Sequence, residues 1–395
     1  MVLFDDNKRE NLFPLLFTRP AGALRVGTLT IAEKWEKRTG FQVFFDMPEY
    51  LNHLFPSLDR TSTLRVNGRL LPDARIIDQL LQLNNGEALI GKDGELLGYH
   101  GDTSYLASTN LIFKISDYSL PYSILERPYD LFRLNGQELE KDFEILTHRR
   151  TSANIEGTNT LIHEHRIFAE PGVKVLCSTL NALDGPIYLG EDAEIMEGSH
   201  VRGGFSLGEQ STLKMASKIY GPTTIGPHCK VGGEVNNAVF LGYSNKAHDG
   251  FLGNAVIGEW CNLGADSNNS NLKNNYEMVK LWNYASGRFD NSGLQFCGLI
   301  MGDHSKCGIN TMFNTGTVVG VSANIFGSGF PRNFVPSFAW GGASGFETFA
   351  LKKAFEVAER VYERRGLHFG DAEKSMLENV FEQTAQYRNW ENQKK

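Results

Sequence analysis

One histidine, His248, stands where a regular sequence pattern breaks, and its residue type suits acid–base chemistry. The imidazole of histidine titrates near neutral pH, so it can remove a proton from an attacking amine or hydroxyl. Acyl transfer from a thioester needs such a base, with an amide or backbone N–H to stabilise the oxyanion. The alternative is a solvated histidine at a corner of the chain. His200, His228 and His304 have neither a comparable context nor the spacing of metal ligands.

A polar insertion follows His248, between Leu263 and Met301. Its asparagines and other potential ligand-binding side chains are Asn268, Asn269, Asn271, Asn274, Asn275, Lys273, Tyr276, Trp282 and Arg288. Many amides without a run of charges suggest hydrogen bonding to hydroxyl groups, as a sugar would need. Asparagine also tolerates left-handed turns, so these residues could instead only shape the loop.

The element expected to position His248 is a six-residue repeat. Apolar residues recur at every sixth position in a first run, Leu189, Ile195, Val201, Leu207, Leu213, Ile219, Ile225 and Val231. Two further runs follow in new registers, Val239, Asn245, Phe251, Ile257 and Leu263, then Met301, Cys307, Phe313, Val319 and Ile325. This period belongs neither to an α-helix nor to a simple alternating strand. It predicts a triangular solenoid whose coils contain three sixes and stack at about 4.8 Å.

The glycines follow the same repeat. Of 41 glycines, 12 precede residue 185, 27 lie between 185 and 345, and 2 follow. Many come directly after an inward position, as in Leu207-Gly208 and Ile225-Gly226, where the absence of a Cβ avoids a clash at a corner. A β-sandwich is the alternative, but sandwich strands usually recur at about 8–12 residues. The pattern therefore predicts a parallel β-helix over roughly 170–340.

This pattern resembles the hexapeptide repeat of left-handed parallel β-helix acyltransferases. The resemblance implies the left hand, a homotrimer and active sites between neighbouring prisms. The segment Asn245–Gly258 resembles the catalytic coil of the bifunctional N-acetylglucosamine-1-phosphate uridylyltransferase/glucosamine-1-phosphate acetyltransferase family, with His248 five residues before Gly253. His248 is then the general base, and Asn271 lies where the family has a catalytic asparagine. We expect a further set to bind substrate: Lys246, Asn268, Lys273 and Tyr276.

The N-terminal region reads as α/β. Apolar spacing predicts strands over Leu12–Phe17 and Phe41–Phe45, and helices over Leu29–Arg38 and Arg75–Leu83. The segment Phe17–Gly27, with Lys34-Trp35-Glu36 after it, resembles a divergent sugar nucleotidyltransferase domain found fused to such β-helices. The usual glycine-rich triphosphate loop is absent from this sequence.

Nucleotidyl transfer needs cations against phosphates and carboxylates for Mg²⁺. The candidate nucleotide- or phosphate-binding cations are Arg19, Arg25 and Lys34, and the candidate carboxylates are Asp5, Asp6 and Asp102. Arg19 and Arg25 could instead form structural salt bridges. The metal ligands themselves cannot be assigned from spacing.

The expected organisation is a nucleotidyltransferase-like domain (1–150), a β-helix (151–345) and C-terminal helices (346–395) that cap the exposed strand edges. We expect the helices over Phe346–Arg365 and Asp371–Tyr387, with Asp371 as an N-cap. Residues 143–155 read as a solvated connector.

Composition excludes several classes of function. A net charge of −7 argues against non-specific nucleic-acid binding. The sequence has no run of about 18 apolar residues, so no membrane span is expected. Five scattered cysteines give no disulfide framework, and no secretory signal is predicted, so a cytoplasmic protein is expected.

The resemblance of both regions to known families implies a transferase acting on activated sugars. The resemblance implies sugar-1-phosphate nucleotidyl transfer and acyl-CoA-dependent N- or O-acyl transfer. The co-substrates would be acetyl-CoA or another acyl-CoA and an NTP with Mg²⁺, and the acceptor a sugar phosphate or nucleotide sugar. The alternatives are a non-catalytic trimeric sugar-nucleotide-binding or scaffolding protein, or a chain that retains only one activity.

Overall fold

The computed structural model describes residues 1–57, 63–101 and 114–394. The strands of the N-terminal region are β1 (Val2–Phe4), β2 (Phe44–Asp46), β3 (Leu64–Asn67), β4 (Leu70–Leu71), β5 (Glu87–Ile90), β6 (Leu96–His100), β7 (Lys114–Asp117) and β8 (Ser123–Ile124). Six of them form a mixed sheet in the order β2-β1-β3-β6-β5-β7, in which β1 pairs in parallel with β2 and β3. The other two, β4 and β8, pair with each other. The helices of this region are α1 (Ile31–Thr39), α2 (Ala74–Leu81) and α3 (Asp130–Thr147).

Local sequence explains the first two helices, which confirm the predicted ones. Thr30 and Glu33 form a capping box at the start of α1, and Gly40 ends it in a left-handed conformation. Asp73 caps α2 by accepting hydrogen bonds from the N–H groups of Arg75 and Ile76.

Two N-terminal predictions are wrong. The apolar run Leu12–Phe17 is not a strand, because Arg9–Leu12 and Leu15–Phe17 form short 3₁₀ helices. Its rings are nevertheless buried: Phe13 stacks on Phe17 at 3.8 Å between ring centroids. A short apolar run cannot by itself distinguish a buried strand from another buried segment. The expected connector is also shorter, since α3 continues to Thr147.

From residue 160 the chain winds into a parallel β-helix. Its strands are β9 (Thr160–Ile162), β10 (Ile167–Ala169), β11 (Lys174–Val175), β12 (Thr179–Asn181), β13 (Ile187–Leu189), β14 (Glu194–Ile195), β15 (His200–Arg202), β16 (Phe205–Leu207), β17 (Thr212–Leu213), β18 (Lys218–Tyr220), β19 (Thr223–Ile225), β20 (Lys230–Val231), β21 (Glu234–Gly242), β22 (Asn245–Lys246), β23 (Phe251–Glu259), β24 (Asn262–Leu263), β25 (Asn268–Asn269), a hairpin of β26 (Lys280–Asn283) and β27 (Arg288–Asn291), β28 (Leu299–Met301), β29 (Lys306–Cys307), β30 (Met312–Phe313), β31 (Thr317–Val319), β32 (Asn324–Ile325), β33 (Phe334–Val335), β34 (Ala339–Gly342) and β35 (Gly345–Thr348).

The stacked strands form three faces. We call the face that contains β13, β16, β19 and β28 the docked face, because the N-terminal region packs on it. The helix face contains β14, β17, β20, β22, β24 and β29. The open face contains β12, β15, β18, the first half of β21 and of β23, and β25. The predicted fold class, an α/β region followed by a β-helix and C-terminal helices, is confirmed.

The interior follows the predicted six-residue register in the first and third runs, whose members are all buried in one cluster. The second run is partly wrong. Phe240, Lys246 and Leu252, rather than Val239, Asn245 and Phe251, continue the inward column. The reason is a change of coil length: Val201 pairs with Ile219, eighteen residues on, whereas Val231 pairs with Lys246, fifteen residues on.

The glycines after inward residues are required by close approach of successive coils. A Cβ on Gly208 would lie 2.6 Å from the carbonyl carbon of Gly226, and a Cβ on Gly226 would lie 2.1 Å from the carbonyl oxygen of Leu241. Neither contact could be relieved by a side-chain rotation, because the atoms met belong to the backbone. The predicted mechanism, avoidance of a Cβ clash, is therefore confirmed.

Two helices, α4 (Leu351–Glu363) and α5 (Asp371–Gln383), end the chain together with 3₁₀ segments Ala385–Tyr387 and Asn389–Lys394. Strand β35 pairs with β34 and covers the last strand edge of the helix face. Gly370, rather than Asp371, occupies the N-cap position of α5. Helix α4 returns along the β-helix, where Tyr362 stacks on Trp260 at 4.0 Å between ring centroids. No helix among the described residues is long and apolar enough to cross a membrane.

The N-terminal region and the β-helix share a buried hydrophobic cluster and several polar contacts. Asn135 on α3 donates to the carbonyl oxygen of Pro222 at 2.9 Å and accepts from the hydroxyl of Thr224 at 3.0 Å. Arg19 reaches further along the same junction, where it pairs with Glu259 at 3.0 Å and with Asp303. Its guanidinium is 5% exposed, so the pairing is shielded from water.

Arg19→Ala should lower the free energy of unfolding by about 3–5 kcal/mol, because it leaves the carboxylate of Asp303 buried without its counter-ion. Chemical denaturation would measure this loss. Arg288→Ala is the matched control, since Arg288 forms an exposed pair with Asp290 on the β26–β27 hairpin. That change should cost less than about 1 kcal/mol. Equal effects of the two substitutions would contradict the structural role of Arg19.

Candidate active site

His248 lies on the corner that joins β22 on the helix face to β23 on the open face. Its side chain is exposed. The backbone of this corner is tied to the coils on both sides: Gly250 O accepts from Glu234 N at 3.2 Å, and Asp249 O accepts from Asp266 N at 3.0 Å. The corner therefore presents the imidazole to solvent on a fixed backbone.

Lys246 lies beneath this corner rather than on it. It is 1% exposed and occupies an inward position in register with Val231. Its Nζ donates to Gly232 O at 2.9 Å and to His248 O at 3.0 Å. Burial lowers the pKa of Lys246 to about 8. The contact with His248 O makes Lys246 a support of the corner, and its expected contact with substrate stays a prediction.

Two asparagines of the insertion stabilise the adjoining strand. Asn268 Oδ1 accepts from Phe251 N at 2.8 Å. The amide of Asn269 accepts from Gly253 N at 2.8 Å and donates to Gly253 O at 2.9 Å. These bonds favour the alternative that asparagines shape the loop, at least for this pair. They also occupy the N–H of Gly253, which therefore does not serve as a free oxyanion donor.

Asn271 ends a chain of amides that crosses the coils. Its Nδ2 donates to Asn254 Oδ1 at 2.8 Å. In the amide orientation that satisfies both of its polar groups, Asn237 accepts from Asn254 Nδ2 at 2.9 Å and donates to Phe132 O on α3 at 3.1 Å. One N–H of Asn271 remains available, because an amide carries two donors. The chain fixes Asn271 beside Gly253, which is its neighbour in space.

The sequence analysis missed Asn237 and Asn254, although their spacing carries a signal. Asn237, Asn254 and Asn271 recur at intervals of 17 residues, which is the length of the coil that pairs Ala238 with Ala255. A search for polar residues at one coil length would have found this column.

The other two expected substrate-binding residues lie on the insertion itself. Lys273 Nζ donates to Met278 O at 3.3 Å and lies 3.8 Å from a carboxylate oxygen of Glu277. The ring of Tyr276 is 65% exposed. The structure thus brings Lys246, His248 and Asn268 together at one corner. Lys273 and Tyr276 lie instead on a separate turn, in which Tyr276 N donates to Lys273 O, before the β26–β27 hairpin.

The expected phosphate-binding cations have partners within the chain. Lys34 Nζ lies between Glu138 at 2.8 Å and Asp142 at 2.5 Å, and all three groups are at most 2% exposed. Burial opposes ionisation of Glu138, yet Lys34 and Lys141 hold the pKa of its carboxyl below the usual range.

Arg25 donates to Leu241 O at 3.3 Å and also to the carbonyl oxygen of Thr28. Together with the Arg19 pairs, these contacts favour the structural alternative, and phosphate binding by these residues stays a prediction.

The carboxylates at the end of β1 do not fit a Mg²⁺ site. Asp5 accepts from Arg9 at 3.0 Å and from Ala21 N at 2.8 Å, and Asp6 is held by Arg69 at 2.5 Å. Within residues 1–57, 63–101 and 114–394 no group of three or more potential metal ligands converges. Asp102 lies outside the described residues.

Parts of the chain are similar to known proteins. Residues 1–151 match the family model described as sugar nucleotidyl transferase. A bifunctional sugar-1-phosphate nucleotidylyltransferase/acetyltransferase of Sulfurisphaera tokodaii is 30% identical over 146 residues, which are 36% of each chain. The bifunctional protein GlmU of Alkaliphilus metalliredigens is 29% identical over 184 residues, 40% of each chain. The aligned part of the chain thus spans about two fifths or less of the length of these relatives. The family resemblance inferred from the sequence is confirmed.

Among solved structures, an Arabidopsis UDP-N-acetylglucosamine acyltransferase aligns with 58% of this chain and 90% of its own. Its identity is 15% and the TM-score is 0.24.

The buried amine of Lys246 gives a prediction about pH. Because its pKa is lower in the folded than in the unfolded chain, unfolding takes up a proton between about pH 8 and 10.5. Stability should therefore rise with pH in this window, by up to about 3 kcal/mol. Unfolding of wild type and Lys246→Met at pH 7.5 and pH 10 isolates this contribution, which Met lacks. A difference that stays constant with pH would contradict it.

Proposed function

We propose that this chain is a transferase of activated sugars that performs acyl transfer at the His248 corner. In this proposal residues 1–150, 151–345 and 346–395 form the nucleotidyltransferase-like domain, the β-helix domain and the C-terminal helices. One observation carries the proposal: an exposed imidazole stands on a corner whose backbone is tied to both neighbouring coils and to Lys246 Nζ. The curated relatives named as nucleotidyltransferase/acetyltransferases support it.

The proposed reaction uses the exposed imidazole of His248 and the amide of Asn271, which lies beside Gly253. His248 removes a proton from the amine or hydroxyl of the sugar acceptor, which attacks the thioester carbonyl of acetyl-CoA or another acyl-CoA. A C–N or C–O bond forms, and the free N–H of Asn271 stabilises the oxyanion. The C–S bond then breaks, and the protonated His248 returns the proton to the departing thiolate.

The faces of the β-helix support a shared site. The chain itself covers the docked face and part of the helix face, whereas the outward side chains of Arg202, Lys218 and Tyr220 on the open face are exposed. His248 and Phe251 border this open face. We propose that copies of the chain meet there as a homotrimer, which places the His248 corner between two β-helices.

Nucleotidyl transfer by residues 1–151 is the second candidate, and the family match favours it. Its substrates would be an NTP and a sugar 1-phosphate. The described residues supply neither a Mg²⁺ site at the end of β1 nor an unpaired cation among Arg19, Arg25 and Lys34. A nucleotide-sugar-binding domain without turnover is therefore the alternative within this proposal.

His248→Ala should reduce acyl transfer by about 10²–10⁴-fold, because it removes the general base. Thiol release from acetyl-CoA measures the rate with a panel of amino-sugar phosphates and nucleotide amino sugars. His148→Ala is the matched control, since His148 is an exposed histidine at the end of α3, away from the open face. Light scattering should give the mass of three chains for wild type and both variants. Full turnover by His248→Ala would refute the assignment.

Nucleotidyl transfer is tested separately by pyrophosphate release. The protein is incubated with a sugar 1-phosphate, Mg²⁺ and each NTP in turn. Because the candidate cations are already paired, we expect no more than slow release with any nucleotide. Release at an ordinary enzymatic rate, on the order of 10 s⁻¹, would overturn the nucleotide-binding alternative and establish a second active site.

A further inference from the structure

A cavity of about 500 Å³ lies between the helix face and the end of α4. Outward side chains of successive coils line one wall in a column, Lys230, Asn245, Asn262 and Lys306. Arg364 and Arg365 line the opposite wall. The cavity thus gathers four cationic side chains, and its lining contains no carboxylate. This is unexpected in a chain whose net charge is −7.

The four cations are not neutralised within the described chain. None of them lies within 4 Å of a carboxylate oxygen among the residues that the structure describes. Arg365 donates to Asn245 Oδ1 at 3.3 Å, and Lys306 Nζ donates to the carbonyl oxygen of His304 at 2.9 Å. Both acceptors are neutral. Two carboxylates of the adjoining coil corners, Glu259 and Asp303, are already bound to Arg19.

Lys306 shows the electrostatic consequence. Burial lowers the pKa of its amine to about 8, so the protonated form is held in the cavity wall at a cost. An anion in the cavity would offset this cost for Lys306 and the repulsion among its neighbours. Arginine and lysine side chains on facing walls, with amides between them, are the donors that bind phosphate groups.

We propose that this cavity, whose lining extends to Ala247 beside His248, is a binding site for a small polyphosphate-bearing ligand. The column from Lys230 to Lys306 crosses three steps between coils, about 14 Å at the usual strand spacing. One phosphate group cannot contact both ends of that column, whereas a chain of two or three phosphates can approach them. A volume of about 500 Å³ suits a small molecule rather than a nucleic acid.

The partly buried Tyr243 and the buried Trp260 stand at one end of the cavity, with their rings stacked 4.3 Å apart. Tyr362 of α4 also stacks on Trp260, at 4.0 Å between ring centroids. This stack fixes the distance between α4 and the coils, so the facing cationic walls are already separated in the absence of ligand. Binding then needs no large rearrangement.

Isothermal titration of the full chain with tripolyphosphate, at constant ionic strength, tests the proposal. Lys230→Gln/Arg364→Gln removes one cation from each wall, and we expect at least about tenfold weaker binding at one site per chain. Lys174→Gln/Arg360→Gln is the matched control: it loses the same charges from the exposed Lys174 of β11 and from α4, outside the cavity. Its affinity should stay within about twofold of wild type.

Orthophosphate provides the second arm, and it should bind more weakly than tripolyphosphate because it reaches fewer cations. No binding of tripolyphosphate by wild type, or equal affinity in the two double variants, would overturn the proposal. So would equal affinity for the two phosphates. None of these outcomes depends on acyl or nucleotidyl transfer, so they are independent of the proposed function.

Discussion

Pairing between the backbones of successive coils is the constraint on which this structure depends. Each coil must place its N–H and C=O groups against the coil before it, so inward residues recur in columns such as Leu189, Leu207 and Ile225. Glycine is required where two coils approach too closely for a Cβ, as at Gly226. A shorter coil keeps the pairing only by changing which residue turns inward. The coil from Val231 to Lys246 does so, and it brings an amine into the interior.

The same constraint creates three faces of the β-helix, and each face has a different covering. The N-terminal region occupies one face through Asn135 and Arg19, and α4 returns along part of the second. The third face remains available to another copy of the chain. His248 stands at the edge between the second and third faces, where the short coil ends. A rigid scaffold with an exposed corner of this kind suits a catalytic base better than a mobile loop does, because its position costs little entropy on substrate binding.

Charge pairing separates structural cations from those available to ligands. Arg19 and Lys34 are buried against carboxylates, which balance their charges and hold the N-terminal region together and to the β-helix. Lys230, Lys306 and Arg364 face a cavity without acidic side chains. Residue type alone does not distinguish these groups, since both contain the same cations. The positions of carboxylates elsewhere in the chain decide which group can meet a phosphate.

The sequence by itself determined the structural features that depend only on neighbouring residues or on a regular repeat. The six-residue repeat, the glycines at close approaches and helices α1 and α2 all followed from local patterns. Tertiary structure alone decided what depends on residues distant in the chain. It turned Lys246 inward, made 3₁₀ helices of Leu12–Phe17 and gave Arg19 its partners Glu259 and Asp303, some 240 and 284 positions away. Such pairings follow from how the N-terminal region docks on the coils, and no local spacing encodes that docking.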